Sequence, residues 1–178
     1  MISGVGVWHP KDSITNEELV DSYNAYVDAF NEENKAQIES GDVAAMPYSS
    51  AEFIEKASGI KSRYIYQKEG ALDITRMKPK IAPRADDELS HQAEIAVEAA
   101  KLALASANVT ADEIDAVIVS CAYTQRAYPA IAIEVQEALN IEGFGFDMLV
   151  ACSAATFGMH RAYEMLSAKN ATRVLVIN

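Results

Sequence analysis

The run "DAVIVSCA", residues 115–122, constrains the fold more than any other stretch of the sequence. It is rich in β-branched residues and shows no alternation of polar and apolar positions. A strand of this kind is buried on both faces, which is typical of a parallel sheet that carries helices on each side. The run therefore predicts the centre of an α/β fold.

The segments around this run alternate between strand and helix patterns. An alanine-rich stripe predicts a long helix over 86–108, and Pro129 is expected in the first turn of a helix that ends at Asn140. "GFGFDMLVA" and "TRVLVIN" are read as further strands, with a helix over 153–168 between them. The order β-α-β-α-β is that of a single α/β domain spanning residues 1–178.

The first third of the chain has clear helix starts. Thr15 with Glu18 and Ser49 with Glu52 are spaced as capping boxes, and the second box opens the helix "EFIEKAS", which Gly59 ends. We read "IKSRYI" as extended, and the segment 2–8 as a strand with a bend.

A loop without helix or strand pattern follows at 66–84. It is locally basic, and it is either a solvated surface loop or a region that attracts an anionic partner. Its basic residues of interest are Lys68, Arg76, Lys78, Lys80 and Arg84.

The net charge of the chain excludes some functions. A formal charge of −11 argues against a nucleic-acid partner, which would need a basic face. The sequence has no membrane-spanning run and no secretory signal, so we expect a cytoplasmic protein. The two cysteines are expected to be thiols, and the three scattered histidines predict no metal site.

Cys152 stands at the predicted turn from a strand into a helix N-terminus. The free N–H groups and the dipole of a helix N-terminus favour a thiolate, and the same N–H groups can bind an oxyanion. The small neighbours Ala151, Ser153, Ala154 and Ala155 leave room for a substrate, as in a strand-turn-helix elbow. Position alone leaves two interpretations open, a nucleophile or an inert buried cysteine.

Motifs along the chain resemble those of the 3-oxoacyl-[acyl carrier protein] synthase III family of the thiolase superfamily. "DMLVACSAATFG" is similar to the nucleophile motif of these condensing enzymes. "EFIEKASGIKSRYI" resembles a tryptophan-containing helix followed by a glycine-isoleucine-basic signature, and "IDAVIVSCAYTQRAYPAIAIEVQEALNI" is a further match. The resemblance covers the N-terminal half of the family and implies half of a five-layered αβαβα thiolase-like architecture with a mixed, mainly parallel sheet.

The resemblance also implies roles for individual residues. Cys152 would accept the starter acyl group, and its own N–H would form part of the oxyanion hole. Tyr128 falls where the family places an aromatic that reaches the partner subunit's acyl pocket. Phe53 and Ala57 replace a tryptophan and an arginine that the family uses for coenzyme A, and Ala155 replaces an aromatic, which would leave space for a longer acyl chain.

The implied reaction is a decarboxylative Claisen condensation in fatty acid biosynthesis. Its substrates would be acyl-CoA and malonyl-acyl carrier protein, with no separate cofactor, and the enzyme would be a homodimer. The family's decarboxylating histidine and asparagine lie in its C-terminal half, so we expect that half as a partner of this chain. His160 is roughly 12 Å along the helix axis from Cys152, too far for proton exchange with sulfur.

Two other functions are compatible with the sequence. A thioester hydrolase or amidase could use the same cysteine with a base nearby. A non-catalytic half could serve only assembly and dimerisation.

Overall fold

In the computed structural model, which describes residues 1–178, the predicted buried run forms the central strand of a parallel sheet. β3 (Ala116–Cys121) pairs in parallel with β4 (Phe144–Leu149) on one side and with β5 (Val174–Ile177) on the other. The predicted α/β class with a parallel sheet is confirmed. The sheet order β4-β3-β5 leaves β4 and β5 at the edges.

The two faces of β3 explain why its sequence lacks polar alternation. Val117 and Val119 belong to a buried cluster with α4 (His91–Ala107) and α5 (Ile131–Leu139). Ala116 and Ile118 point to the opposite face and pack with α6 (Ala154–Ser167). Each buried branched side chain contributes about 1.5–3 kcal/mol relative to leaving it exposed, so both faces stabilise the sheet.

Two predicted helix starts are wrong by a few residues. The helix predicted from residue 86 begins at His91, because the side chain of Ser90 caps it by accepting from the N–H of Ala93 at 3.1 Å. α5 begins at Ile131, so Pro129 precedes the helix instead of occupying its first turn. Both helices end at an asparagine in the left-handed conformation, Asn108 after α4 and Asn140 after α5. The predicted stop at Asn140 is therefore confirmed.

Residues 2–8 do not form the predicted strand. Gly4 and Gly6 lie against the backbone of α4, so closely that a Cβ on either glycine would overlap atoms of Ala103. The two glycines therefore let this segment pack on a helix, and it is not part of the sheet.

Contacts divide the chain into two compact units. The sheet unit comprises residues 1–8 and 84–178, and the strap unit comprises residues 9–83. The prediction of one domain over 1–178 does not distinguish these units.

The strap unit contains three helices and a two-stranded antiparallel sheet. Its helices are α1 (Asn16–Glu33), α2 (Lys35–Ser40) and α3 (Ala51–Ser58), and its strands are β1 (Asp12–Thr15) and β2 (Ser62–Ile65). The sequence predicted β2 but not β1. The capping box of Thr15 and Glu18 is confirmed, whereas α3 is capped by Ser50 and not by Ser49.

An extended segment, residues 46–49, runs beside α1 and is called the strap below. Asn31 bonds both backbone groups of Met46, and Asn24 bonds both backbone groups of Ser49, at 2.8–3.1 Å. The two asparagines are seven residues apart on α1, which places them on one face of the helix. They hold the strap through its backbone.

No helix of the structure combines the length and the apolar composition that crossing a lipid bilayer requires.

Candidate active site around Cys152

Cys152 lies in a single 3-10 turn, Ala151–Ser153, between the end of β4 and the start of α6. The residue is exposed. The N-cap of α6, Ser153, makes no side-chain cap bond, so no side chain satisfies the first N–H groups of the helix through the cap. The predicted strand-turn-helix placement of the cysteine is therefore present in the structure.

The backbone before Cys152 turns sharply. Ala151 has φ +46°, in the left-handed region that residues with a Cβ rarely adopt. The N–H of Val150 donates to the carbonyl of Cys121 at 3.2 Å, which extends the β3–β4 pairing by one bond before the turn. The chain thus leaves the sheet within two residues and presents Cys152 at the end of strand β4.

The helix behind Cys152 is packed tightly on the central strand. A Cβ on Gly158 would overlap the Oγ of Ser120 and would lie 3.1 Å from Val176 Cγ1. Ser120 is buried in β3, and its hydroxyl has no hydrogen-bond partner. Gly158 therefore lets the first turns of α6 approach β3, which fixes the height of Cys152 above the sheet.

The second cysteine has a different environment. Cys121 ends β3, is half-buried, and its Sγ lies 3.2 Å from the carbonyl oxygen of Tyr123. Burial raises the pKa of the Cys121 thiol, and the nearby carboxylate of Asp147 raises this pKa further. At neutral pH, Cys121 is thus held as a thiol.

Asp147 connects β4 to the helix that follows the Tyr128 loop. Its two carboxylate oxygens accept the N–H groups of Ile131 at 2.8 Å and Ala132 at 2.9 Å, at the N-terminus of α5. This arrangement uses the orphan donors and the positive end of the helix dipole. Sequence reasoning did not predict this role of Asp147, although a charged residue inside an apolar strand is the signal that could have indicated it.

Tyr128 lies in the loop between β3 and α5, and its side chain is 87% exposed. The peptide bond between Tyr128 and Pro129 is cis. Two glutamines hold the loop on the start of α4. Gln92 donates to the carbonyl of Tyr123 at 2.9 Å and accepts the N–H of Gln125 at 2.5 Å, and Gln125 accepts the N–H of His91 at 2.9 Å.

A buried carboxylate secures the same loop from the helix side. Glu134 on α5 accepts from the N–H and the hydroxyl of Ser90, both at 2.7 Å, and pairs with Arg126 at 3.4 Å. The side chains of Glu134 and Arg126 are only 6% and 15% exposed. Sequence reasoning missed this network, because Glu134 has the spacing of an ordinary helix-surface residue.

The other site candidates fall in two places. Ala155 is exposed on the first turn of α6, one turn after Cys152. Phe53 lies in the strap unit on α3, is 65% exposed, and lines an apolar cleft to which Cys152 does not contribute. The structure thus brings Cys152 and Ala155 together, whereas Phe53 belongs to the other unit.

The basic loop is largely neutralised. Lys68 pairs with Glu18 at 2.5 Å, Lys80 pairs with Glu69 at 2.8 Å, and Arg84 pairs with Glu94. Of the five basic residues proposed as an attractive surface, Arg76 and Lys78 form no ion pair with an acidic side chain.

Two of the three histidines contact residues other than Cys152. The ring of His160 faces Glu164 on the next turn, with Nδ1 3.8 Å from Oε1. His9 stacks on Tyr64 at a centroid distance of 4.0 Å in the strap unit.

The structure combines a parallel sheet with an exposed cysteine in the turn between an edge strand and a helix. Comparison with solved structures confirms the predicted thiolase-like fold. The 3-oxoacyl-[acyl-carrier-protein] synthase III of Aquifex aeolicus superposes with a TM-score of 0.65 at 26% identity, over 98% of this chain and 42% of that chain. OleA of Xanthomonas campestris, solved with lauric acid and lauroyl-CoA, shares the fold at 19% identity with a TM-score of 0.67, over 98% and 42% of the two chains.

Sequence comparison gives closer relatives. A β-ketodecanoyl-[acyl-carrier-protein] synthase of Pseudomonas aeruginosa is 48% identical over 159 residues, which are 89% of this chain and 45% of that protein. A β-ketoacyl-[acyl-carrier-protein] synthase III of Granulibacter bethesdensis is 28% identical over 178 residues, 99% of this chain and 42% of that protein. No model of a protein family matches the chain.

The chain is therefore related, by sequence and by fold, to the β-ketoacyl-[acyl-carrier-protein] synthase III family, as its motifs predicted. It spans less than half the length of the relatives that it matches.

Proposed function

We propose that this chain supplies the acyl-accepting cysteine of a β-ketoacyl-[acyl-carrier-protein] synthase III-type condensing enzyme. The observation that carries the proposal is the exposed Cys152 at the junction of β4 and α6, in a chain 48% identical to a β-ketodecanoyl-[acyl-carrier-protein] synthase. The enzyme is an acyltransferase of fatty acid biosynthesis.

The first half-reaction uses residues of this chain. The Cys152 thiolate attacks the carbonyl carbon of an acyl thioester, and the oxyanion is stabilised by the backbone N–H of Cys152 in the 3-10 turn that precedes α6. The bond from carbon to the sulfur of the donor breaks, and the departing thiolate takes a proton from solvent. An acyl-enzyme remains on Cys152.

The second half-reaction completes the condensation. Malonyl-acyl carrier protein loses carbon dioxide, and the resulting carbanion attacks the acyl-enzyme carbonyl to form 3-oxoacyl-carrier and free Cys152. The C-terminal half of the enzyme would supply the histidine and asparagine of this step. We propose a homodimer in which Tyr128 reaches the partner's acyl pocket, which its 87% exposure supports.

The name of the Pseudomonas relative supports a medium acyl chain. A 3-oxodecanoyl product requires an eight-carbon acyl group, because malonyl condensation adds two carbons. Ala155 on the first turn of α6 would leave space for such a chain. We propose octanoyl-CoA and malonyl-carrier as substrates, no separate cofactor, and action in the cytoplasm.

Intact-mass analysis of the full-length protein after incubation with octanoyl-CoA tests this proposal. We expect one stable octanoyl adduct, its loss in Cys152→Ala and its retention in the matched control Cys121→Ala. Release of free octanoate without an adduct would favour the hydrolase. The absence of both adduct and turnover would favour a non-catalytic assembly role.

Alkylation of the two cysteines provides a second test. Because burial and Asp147 raise the pKa of Cys121, its thiolate fraction is low at neutral pH, and its alkylation should accelerate only as the pH rises through that pKa. We expect iodoacetamide to label Cys152 at least about tenfold faster at pH 7, as measured by peptide mass spectrometry. Equal rates in the folded protein would contradict the assignment of Cys152 as nucleophile.

A further inference from the structure

Two consecutive residues of β3 contact the segment that carries Cys152, one on each side of its turn. Before the turn, the N–H of Val150 donates to the carbonyl of Cys121 at 3.2 Å. After it, Gly158 of α6 lies so close to Ser120 that the hydroxyl oxygen of Ser120 occupies the place a Cβ would take. The end of β3 therefore holds the nucleophile segment from both sides.

The turn between these two contacts is strained. Ala151 has φ +46°, and a residue with a Cβ in this region costs on the order of 1–3 kcal/mol. Such a conformation persists only where the surrounding structure holds it. Within the turn, the N–H of Ser153 donates to the carbonyl of Val150 at 3.1 Å. The two contacts with β3 add restraint from outside the turn.

Ser120 does not act through a hydrogen bond. Its side chain is 1% exposed, and its hydroxyl has no hydrogen-bond partner. A buried hydroxyl without a partner costs about 1–3 kcal/mol, so serine is unfavourable here for stability alone. What its oxygen does is fill the space between β3 and Gly158, beside Val176 of β5. The hydroxyl thus acts as a spacer between the central strand and the nucleophile helix.

We propose that Ser120 is a positioning residue for Cys152. Its hydroxyl oxygen sets the distance of α6 from β3, and the carbonyl of Cys121 fixes the start of the turn. Together the two contacts hold the sulfur and the N–H of Cys152 in the geometry that acyl transfer needs. The proposal rests on the proposed role of Cys152 as the nucleophile. Ser120 itself touches no substrate, because it is buried behind α6.

Three variants of the full-length protein change the filling of this contact. Gly158→Ala overfills it, and relieving the overlap moves α6 by on the order of 1 Å. Ser120→Ala removes the oxygen and underfills it. The double variant transfers one heavy atom from the strand to the helix, so the space is filled again. If Ser120 positions Cys152, both single variants should be defective and the double variant should recover.

The measurement is the rate of acylation of Cys152 at saturating octanoyl-CoA, followed by intact mass. Because a misplacement of 1 Å can slow a reaction greatly, we expect Gly158→Ala to be at least about tenfold slower and Ser120→Ala about threefold slower, with the double variant within about twofold of the unmodified protein. The apparent KM for octanoyl-CoA should stay unchanged in all three. Ser120→Ala loses no hydrogen bond, so its free energy of unfolding in urea should be unchanged or higher.

Met165→Ala is the control that separates positioning from stability. Met165 also packs α6 on β3, beside Ala116 and Ile118, but more than two turns beyond Cys152. Its loss should cost about 2–5 kcal/mol in the free energy of unfolding and leave the acylation rate of the folded protein unchanged.

Iodoacetamide labelling of Cys152 at pH 7 distinguishes failure of this proposal from failure of the proposed function. The labelling rates should fall in the same order as the acylation rates, because moving α6 changes how far its first N–H groups favour the thiolate. No octanoyl adduct on the unmodified protein would contradict the acyl-transfer function, and labelling would still test the role of Ser120. Equal rates in the unmodified protein and both single variants, a double variant no faster than Gly158→Ala, or an equal slowing in Met165→Ala would overturn the proposal.

Discussion

Different interactions stabilise the interior of the sheet unit and the interior of the strap unit. Only three of the twenty buried apolar residues, Ile14, Val20 and Val27, lie in the strap unit, and the other seventeen lie in the sheet unit. Helices α2 and α3 have no buried residue at all. Their unit is instead rich in bonds between side chains and distant backbone groups, such as those of Asn24, Asn31 and Tyr23.

This difference shows where a specific side chain matters most. In the sheet unit, apolar burial is spread over many residues, so that most single substitutions remove a small part of the stabilisation. The few buried polar groups are different, because removing one partner leaves the other buried without a hydrogen bond. In the strap unit, single hydrogen bonds define the path of the chain. Substitutions in the first unit should therefore lower global stability, whereas those in the second should release local segments.

The largest expected effect is at the buried carboxylate of the sheet unit. Glu134→Ala leaves Arg126 and the N–H and hydroxyl of Ser90 without their partner in a buried place. We expect a loss of about 3 kcal/mol in the free energy of unfolding, measured by urea denaturation. The exposed Glu137→Ala on the same helix is the control, and similar losses for both would show that the network does not stabilise the fold.

The next effect concerns the contact of α6 with β3. Helix propensity alone favours Gly158→Ala by about 1 kcal/mol. A Cβ at Gly158 would overlap Ser120 Oγ, so we expect a net loss of about 1–2 kcal/mol in thermal denaturation instead. Combining it with Ser120→Ala should recover part of this loss, because the hydroxyl is the closest atom. A stabilised Gly158→Ala variant would mean that the two elements are not in tight contact.

A smaller and local effect is expected in the strap unit. Asn31→Ala removes both bonds to the backbone of Met46, and each such bond contributes about 1 kcal/mol. Hydrogen exchange should accelerate at Met46 while the amides of β3 remain protected. Asn34→Ala, whose side chain bonds only the carbonyl of Phe30 within α1, is the control. Uniform acceleration across the protein would contradict the idea that the strap opens on its own.

The smallest effect is electrostatic. The pKa of Glu18 is lowered first by its hydrogen bond to Lys68 and then by the N–H of Thr15. A lowered folded-state pKa contributes stability above the unfolded pKa of Glu18, and this contribution is lost as the pH falls through the folded value. Lys68→Met should raise the pKa of Glu18, as followed by NMR of its carboxyl carbon, and should weaken the acid dependence of strap-unit stability. An unchanged pKa at low salt would rule out the Lys68 contact, with Lys101→Met as the control.

The same difference explains what the sequence could predict. The pattern of "DAVIVSCA" predicts β3, because burial on both faces dictates its composition, and the small residues around Cys152 predict the turn. β1 and the strap could not be predicted, since their partners, β2 and α1, are separated from them in sequence and leave no local pattern. Glu134 was missed for the same reason, because its partners Ser90 and Arg126 are defined only in the folded chain.

The pair of hydrogen bonds between Asp147 and the start of α5 has a consequence for how this protein can diverge in sequence. A single carboxylate on β4, five residues before Cys152, bonds the two N–H groups of the helix that begins three residues after Tyr128. The spacing between β4, which leads to Cys152, and α5, which follows the loop of Tyr128, is thus set by a residue outside that loop. Residues 122–130 other than Gln125 and Arg126, which bond α4 and α5, can therefore accumulate substitutions without moving either anchor.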